Sequence, residues 1–299
     1  MSMDLNTEVE ERRDLLQEVT FFLGGKCNSN CTMCPSTDRE RKMVFPEAEM
    51  VVYRNMESLP SDVRFYTVTG GEPTLDRKVF LRVMAALADA FPEAEAQLLT
   101  NGRAFCSKHF LQRLLEKCPP NMTVAIPIHG STEDLHDQIT RSQGGFKQTL
   151  QGIQNLLDRK VAVEIRIVIT KQNKDDVLNI ARLISKKFPD VCIVNFISLE
   201  VRGNCYKNMQ QVYIDARESF VAAKESIDLL VSKGIDVGLY NYPLCMVDRG
   251  YWFLCKKSIS PDKVRYGEIC GDCIMKEACG GLFGTTLAIA NPVLKAIEG

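Results

Sequence analysis

Cys27, Cys31 and Cys34 stand in one short run, Cys27-Asn-Ser-Asn-Cys31-Thr-Met-Cys34-Pro35. Three thiolates so spaced can hold three irons of a cubane iron–sulfur cluster and leave the fourth iron without a protein ligand. An open position of that kind separates a reactive metal centre from a closed structural one. A zinc knuckle or three core cysteines is the alternative. Zinc would need a fourth ligand, and His109, His129 and His136 all lie far along the chain. A second set, Cys245, Cys255, Cys270, Cys273 and Cys279, is spaced as Cys-x4-Gly-x4-Cys and Cys-x2-Cys-x5-Cys-Gly-Gly. Five thiols can close one four-cysteine cubane with one left over, while Cys-x2-Cys with two distant cysteines also suits tetrahedral zinc.

The remaining cysteines are scattered. Cys106, Cys118 and Cys192 fall in helical or strand patterns and read as small core hydrophobes, and Cys205 is a candidate hydrogen or proton donor. His129, at a strand end, reads as a satisfied hydrogen-bonding group. Glu200 and Arg202 are further candidates near a strand end, and Trp252, between two cluster cysteines, is expected to shield the metal. With 12 cysteines in 299 residues the chain is too poor in thiols for a disulfide scaffold, and in a reducing compartment clustered thiols are more often metal ligands. The 37 basic and 38 acidic residues leave a net charge of −1 with no long block of one sign. That balance argues against a nucleic-acid partner or a broad membrane-surface patch. The N-terminus, MSMDLNTEVEERRD, is acidic and has no apolar run, and no stretch approaches the ~20 apolar residues of a membrane span. A soluble, cytoplasmic protein is expected.

The elements that must position these residues alternate. Strands are predicted at Val19–Leu23, Val63–Thr69, Gln97–Thr100, Met122–Ile128, Val161–Thr170 and Val191–Ser198, with helices at about Pro46–Ser58, Arg77–Phe91, Ser107–Lys117, Phe146–Arg159 and Lys174–Lys187. A further helix, Tyr213–Lys233, leads to a last strand near Ile235–Tyr240. Such alternation reads as parallel βα units in an open sheet or partial barrel, whose reactive loops lie at the C-terminal strand ends. From about Asn241 the alternation stops, and the Cys- and Gly-rich tail needs a metal to supply the stability that its sparse apolar residues cannot.

With the first cysteine run, Gly70-Gly71-Glu72-Pro73 after the second strand, Thr100-Asn101-Gly102 after the third, and Leu135-His136-Asp137 with Gly144–Phe146 after the fourth, the sequence resembles the radical S-adenosylmethionine (SAM) enzymes over about residues 17–240. The resemblance implies a partial (β/α)6 TIM-like barrel, a [4Fe-4S] cluster on Cys27, Cys31 and Cys34, and SAM on its free iron. Gly70 and Gly71 would let backbone carbonyls approach the SAM ammonium, with Glu72 adding negative charge or bracing the turn and Pro73 completing the motif. Thr100 and Asn101 would hydrogen-bond the carboxylate or ribose. Met33, where many members carry an aromatic residue, would pack on adenine. Pro127 stands where a Ser often binds the carboxylate, a contact that Arg141 is placed to supply.

The C-terminal cysteines resemble pieces of the SPASM and twitch extensions, implying one auxiliary [4Fe-4S] cluster; the Cys-x3-Cys continuation of a full SPASM domain is missing, with Phe283 at that spacing. The division expected is an N-terminal extension (1–16), a radical SAM partial barrel (17–240) and a twitch-like metal-binding domain (241–299). The runs CNSNCTMC, TGGEPTL, IPIHGS, VEIRIVIT, NYPLC and CGDC are similar to the C-type maturase family of the His-Xaa-Ser peptide system. That likeness implies oxidative modification of a ribosomally made peptide, an electron donor such as flavodoxin or ferredoxin, and a second radical SAM protein as partner. A small-metabolite substrate, or a zinc-ribbon binding module without catalysis, are the competing readings.

Overall fold

The structure is a computed structural model and describes residues 18–299; the expected extension 1–16 lies outside them. The described residues divide into two compact units, one of residues 18–28, 38–126 and 148–163, the other of residues 29–37, 127–147 and 164–299.

In the first unit β1 (Glu18–Phe22), β2 (Phe65–Thr69), β3 (Glu95–Leu99) and β4 (Met122–Pro127) pair in that order, all parallel. The register sets Phe21 beside Val68 and Leu98 beside Val124. Between strands run α1 (Phe45–Ser58), α2 (Arg77–Ala90) and α3 (Lys108–Leu115). Helix α2 begins where the Asp76 carboxylate accepts the Lys78 and Val79 backbone N–H groups. It buries Val79, Phe80, Val83, Met84 and Leu87 at helical spacing. Phe21, Tyr66 and Phe91 pack as an aromatic group with centroids 5.9–6.4 Å apart.

In the second unit β5 (Ala162–Val168, paired from Glu164), β6 (Ile193–Ile197), β7 (Val237–Tyr240) and the two-residue β8 (Cys255–Lys256) follow the same parallel order. Helix α4 (Glu133–Thr140) precedes α5 (Gly145–Asp158), which from residue 148 onward belongs to the first unit, and α6 (Val177–Lys187) packs on α8 (Ala216–Ser232), with α7 (Gly203–Lys207) between them in sequence. Parallel strands paired in sequence order belong to barrel-type rather than doubly wound α/β folds, as expected. There are two strands beyond the six of the predicted barrel: β7, foreseen as a last strand, and β8, too short for a periodic signal. Helix α4 was not predicted either. Its signal is a Thr132 cap on the Leu135 N–H, followed by Glu133 and Asp134 in the first turn. An antiparallel pair, β9 (Val264–Arg265) with β10 (Leu282–Phe283), clasps the ends of the loop that carries Cys270, Cys273 and Cys279.

Candidate active site and metal centres

In the first unit three loops meet at the C-terminal strand ends. Glu72, 1% exposed, is their hub. Its carboxylate accepts from Thr74 N (3.0 Å), Thr74 Oγ1 (2.5 Å), Thr100 Oγ1 (2.7 Å) and Asn101 N (2.7 Å). Of the two roles expected for Glu72, this geometry supports the brace. Thr100 spends its hydroxyl on the same network and also accepts the Gly102 N–H. Pro73 is buried at the head of a short 3-10 turn.

Gly70 and Gly71 have a packing reason of their own. A Cβ on Gly71 would lie 2.3 Å from the Gly25 carbonyl oxygen and 2.4 Å from that of Lys26, and one on Gly70 would lie 2.5 Å from the Gly24 oxygen. The loops after β1 and β2 are zipped together there by Gly71 N to Gly24 O (2.8 Å) and Glu72 N to Lys26 O (2.9 Å). Cys27 follows that zipper directly. The residue after it, Asn28, is held by two groups that sequence reading missed as a pair: the Asn101 side-chain amide donates to Asn28 Oδ1 (2.7 Å), and the Arg103 guanidinium donates to its backbone oxygen (2.9 Å).

In the second unit the turn from Cys31 to Cys34, closed by Cys34 N to Cys31 O (3.2 Å), is pinned from two sides. Asn30 N and Thr32 N donate to the carbonyls of Thr140 and Ile139, both 2.9 Å. These are terminal carbonyls of α4, which no helical N–H can reach. From the other side Asn204 donates its backbone N–H to Cys34 O (2.8 Å) and its side-chain amide to Cys31 O (2.8 Å) and Asn30 Oδ1 (2.9 Å), while Asn208 donates to Thr32 O (2.9 Å). Gly203, at φ +55°, lets α7 come this close: its Cβ would fall 2.5 Å from the Ser36 oxygen. Cys27, Cys31 and Cys34 are all partly exposed thiols within their own units. Met33 is buried, 5% exposed. Replacing Asn204 with Leu removes two of these clamps, at about 1–3 kcal/mol for groups left without partners. The expected result is faster loss of iron from the N-terminal cysteines to a chelator in the purified protein.

Around α4 the remaining motif residues organise backbone. The Asp137 carboxylate accepts the N–H groups of Gly144 (2.5 Å) and Phe146 (2.8 Å) at the start of α5, and His136 Nδ1 accepts the His129 N–H (3.2 Å). Arg141 is exposed at the α4 C-cap, left-handed at φ 51° where Gly or Asn is usual.

His129 departs from the expectation of a satisfied side chain: it is buried, and its Nδ1 has no partner among the described residues. Burial, and then the neighbouring His136, push its pKa down to about 3. The unfolded chain, with an ordinary imidazole near 6.5, binds the proton first, so stability falls as pH drops from about 6.5 towards 3, at about 1.4 kcal/mol per pH unit. Thermal melts of the wild type should therefore show a steeper loss across that window than those of His129→Gln.

The scattered cysteines correct the sequence reading. Cys106 and Cys192 are exposed, at a 3-10 turn end and just before β6, and Cys118 is half-buried, so none is a sealed core residue. Cys205 is fully buried, and burial pushes its thiol up to about 11, which suits packing of α7 rather than donation.

Four of the five C-terminal cysteines, Cys245, Cys270, Cys273 and Cys279, line one small cavity. Cys255 does not line it, and its thiol turns to the Tyr251 carbonyl at 3.9 Å. The cavity sulfurs instead accept backbone N–H groups: Leu244 N and Gly281 N on Cys279 (3.4 and 3.5 Å), Ile297 N on Cys273 (3.4 Å), and the Lys295 backbone on Cys245. Trp252 does not line the cavity as expected; its indole N–H is shared by the carbonyls of Leu244 and Val247, both 3.0 Å, locking the turn that presents Cys245. Among the described residues no three His, Cys, Asp or Glu side chains stand close enough to hold a single metal ion.

Residues 21–184 match the Radical SAM superfamily. The chain is 25% identical over 222 residues to pre-heme d1 synthase of Dinoroseobacter shibae, covering 73% of this chain and 51% of that protein. It is 25% identical over 161 residues to the sporulation killing factor maturation protein SkfB of Bacillus subtilis, covering 54% and 38%. It thus spans about half or less of the length of these curated relatives. Among solved structures, Streptococcus suis SuiB bound to its precursor peptide SuiA superimposes with a TM-score of 0.58 at 11% identity, covering 80% of this chain and 55% of that one. No helix among the described residues is long and apolar enough to cross a membrane.

Proposed function

The chain belongs to the radical SAM superfamily, and from that premise we propose that it cleaves SAM reductively and abstracts a hydrogen from a ribosomally made peptide, leading to an oxidative crosslink or cyclisation. The observation that carries the reading is the order of motifs at C-terminal strand ends: Cys27 after β1, the Gly70–Pro73 loop after β2 and Thr100-Asn101 after β3. The superfamily implies a [4Fe-4S] cluster and SAM, and the partly exposed thiols of Cys27, Cys31 and Cys34 suit the cluster's three protein-bound irons. Once bound, and with the cluster reduced by an outside electron donor, the cluster would supply one electron to SAM, splitting it into methionine and a 5′-deoxyadenosyl radical. The residues around it hold distances and exclude water. Asn204 and Asn208 fix the Cys31–Cys34 turn, and Glu72 locks the Gly-Gly loop against the strand that leads to Cys27.

The C-terminal cysteines are read as an auxiliary [4Fe-4S] site in a twitch-like segment. Tetrahedral zinc, with Zn–S near 2.3 Å, draws its sulfurs to about 3.8 Å of one another. A cubane ranges its four thiolates more widely, and the four cysteines that line one cavity support a thiolate-bound centre there.

The likeness to SkfB supports a peptide substrate, and that to pre-heme d1 synthase favours a small metabolite as the second reading. Anaerobic incubation with SAM, a reductant such as reduced flavodoxin or ferredoxin, and short peptides encoded near the gene separates them. A peptide that loses two hydrogens by mass supports the proposal, with or without a second radical SAM protein in the mixture. Conversion of a tetrapyrrole, with the peptides untouched, replaces it.

A further inference from the structure

We infer that Thr286, in the C-terminal segment, is a positioning residue for the N-terminal cysteine turn: it braces the loop from which Asn204 clamps Cys31 and Cys34. The inference rests on reading those two cysteines as cluster ligands, while the brace itself is a set of hydrogen bonds within the second unit.

Helix α9 (Gly284–Ala290) follows β10 directly, and Gly284 N donating to Lys263 O (3.0 Å) ties its start to the residue before β9. Thr286 is the one buried side chain of this helix, 4% exposed. A threonine inside a helix commonly turns its hydroxyl back to a carbonyl of the preceding turn. Here the hydroxyl leaves the helix. It accepts the Val201 N–H (3.0 Å) and donates to Leu199 O (3.4 Å), partners 85 and 87 positions away in sequence. Leu199 and Val201 are 4% and 0% exposed, so water is not at hand to take the place of the hydroxyl.

The braced loop runs straight into α7. Gly203 turns the chain at φ +55°, and the next residue, Asn204, gives its backbone N–H to Cys34 O and its side-chain amide to Cys31 O, both at 2.8 Å. Few bonds separate Val201 from Asn204, so a loop that shifts at Leu199 and Val201 carries the clamp with it. Thr286, the loop, Asn204 and the Cys31–Cys34 turn therefore form one contiguous chain of contacts. Its far end is the β9–β10 clasp around Cys270, Cys273 and Cys279. The C-terminal segment thus has a structural duty toward the N-terminal centre, separate from any metal of its own.

The test uses the full chain, reconstituted without oxygen, with Thr286→Val, which keeps the shape and deletes the hydroxyl, and Thr286→Ser, which keeps the hydroxyl. In Thr286→Val, backbone hydrogen exchange should quicken by about tenfold or more, the factor for one buried donor left unpaired, in residues 199–208 and also in residues 29–37. A chelator should also bleach the SAM-sensitive electron paramagnetic resonance signal of the reduced protein faster. Thr286→Ser should restore both. Combined with Asn204→Leu, Thr286→Val should add no further loss, because both act through one clamp. Faster exchange confined to residues 199–201, a Ser variant that rescues nothing, or additive losses overturn the assignment. If Thr286→Val fails to fold, the wild type decides: residues 199–201 and 29–37 should open to exchange at one denaturant concentration, and separate openings overturn it. A protein without any SAM-sensitive signal removes the radical reading, and the exchange experiment still judges the brace.

Discussion

Cys31→Ala should abolish SAM cleavage, with 5′-deoxyadenosine falling to the level of a reaction without enzyme, while the C-terminal cysteines keep their iron. Removing one thiolate from a three-cysteine site leaves two irons of the cubane without protein ligands, and such a site loses metal rather than working slowly. The Cys31–Cys34 turn is held by Asn30, Thr32, Asn204 and Asn208 through backbone groups, so the variant should fold and the loss be chemical. Iron and sulfide analysis beside the product assay checks this. Iron unchanged and cleavage retained would mean that Cys31 is no ligand. Cys270→Ala should spare cleavage at least in part, and an equal, total loss in both variants would contradict the division of labour between the two cysteine sets.

Glu72→Leu should be the most destabilising single change outside the metal sites. It leaves a buried backbone donor, Thr74 N, a half-buried one, Asn101 N, and two hydroxyls without their acceptor. At about 1–3 kcal/mol for each unsatisfied donor, the two N–H groups alone cost about 2–6 kcal/mol, a large share of a typical domain's stability. Glu72→Gln keeps one acceptor oxygen and should lose less. Denaturant melts under anaerobic conditions rank the three proteins, and wild-type stability in the Leu variant would show that the loop network carries no weight.

Much of this was legible in the sequence for a physical reason. Parallel strands covered on both faces are short apolar runs, and each motif residue sits within a few positions of such a run, so Gly70-Gly71 and Thr100-Asn101 could be placed at strand ends without coordinates. The partners of those residues were not legible. Asn204 reaches Cys31 across 173 positions of sequence, and no local periodicity encodes such a contact. Asn101 was expected to bind SAM and Arg103 drew no reading, yet both donate to Asn28. Cys106 and Cys192 were misjudged because thiols are more often buried than not, and that tendency says nothing about one residue at a turn end.

The most direct measurement is a single one: the protein, reconstituted with iron and sulfide without oxygen, is mixed with dithionite and SAM, and 5′-deoxyadenosine is followed by chromatography. Product that accumulates with time in the wild type and is missing from Cys31→Ala is the expected result. A fully iron-loaded wild type that forms none, even with the cognate peptide present, would contradict the proposed chemistry.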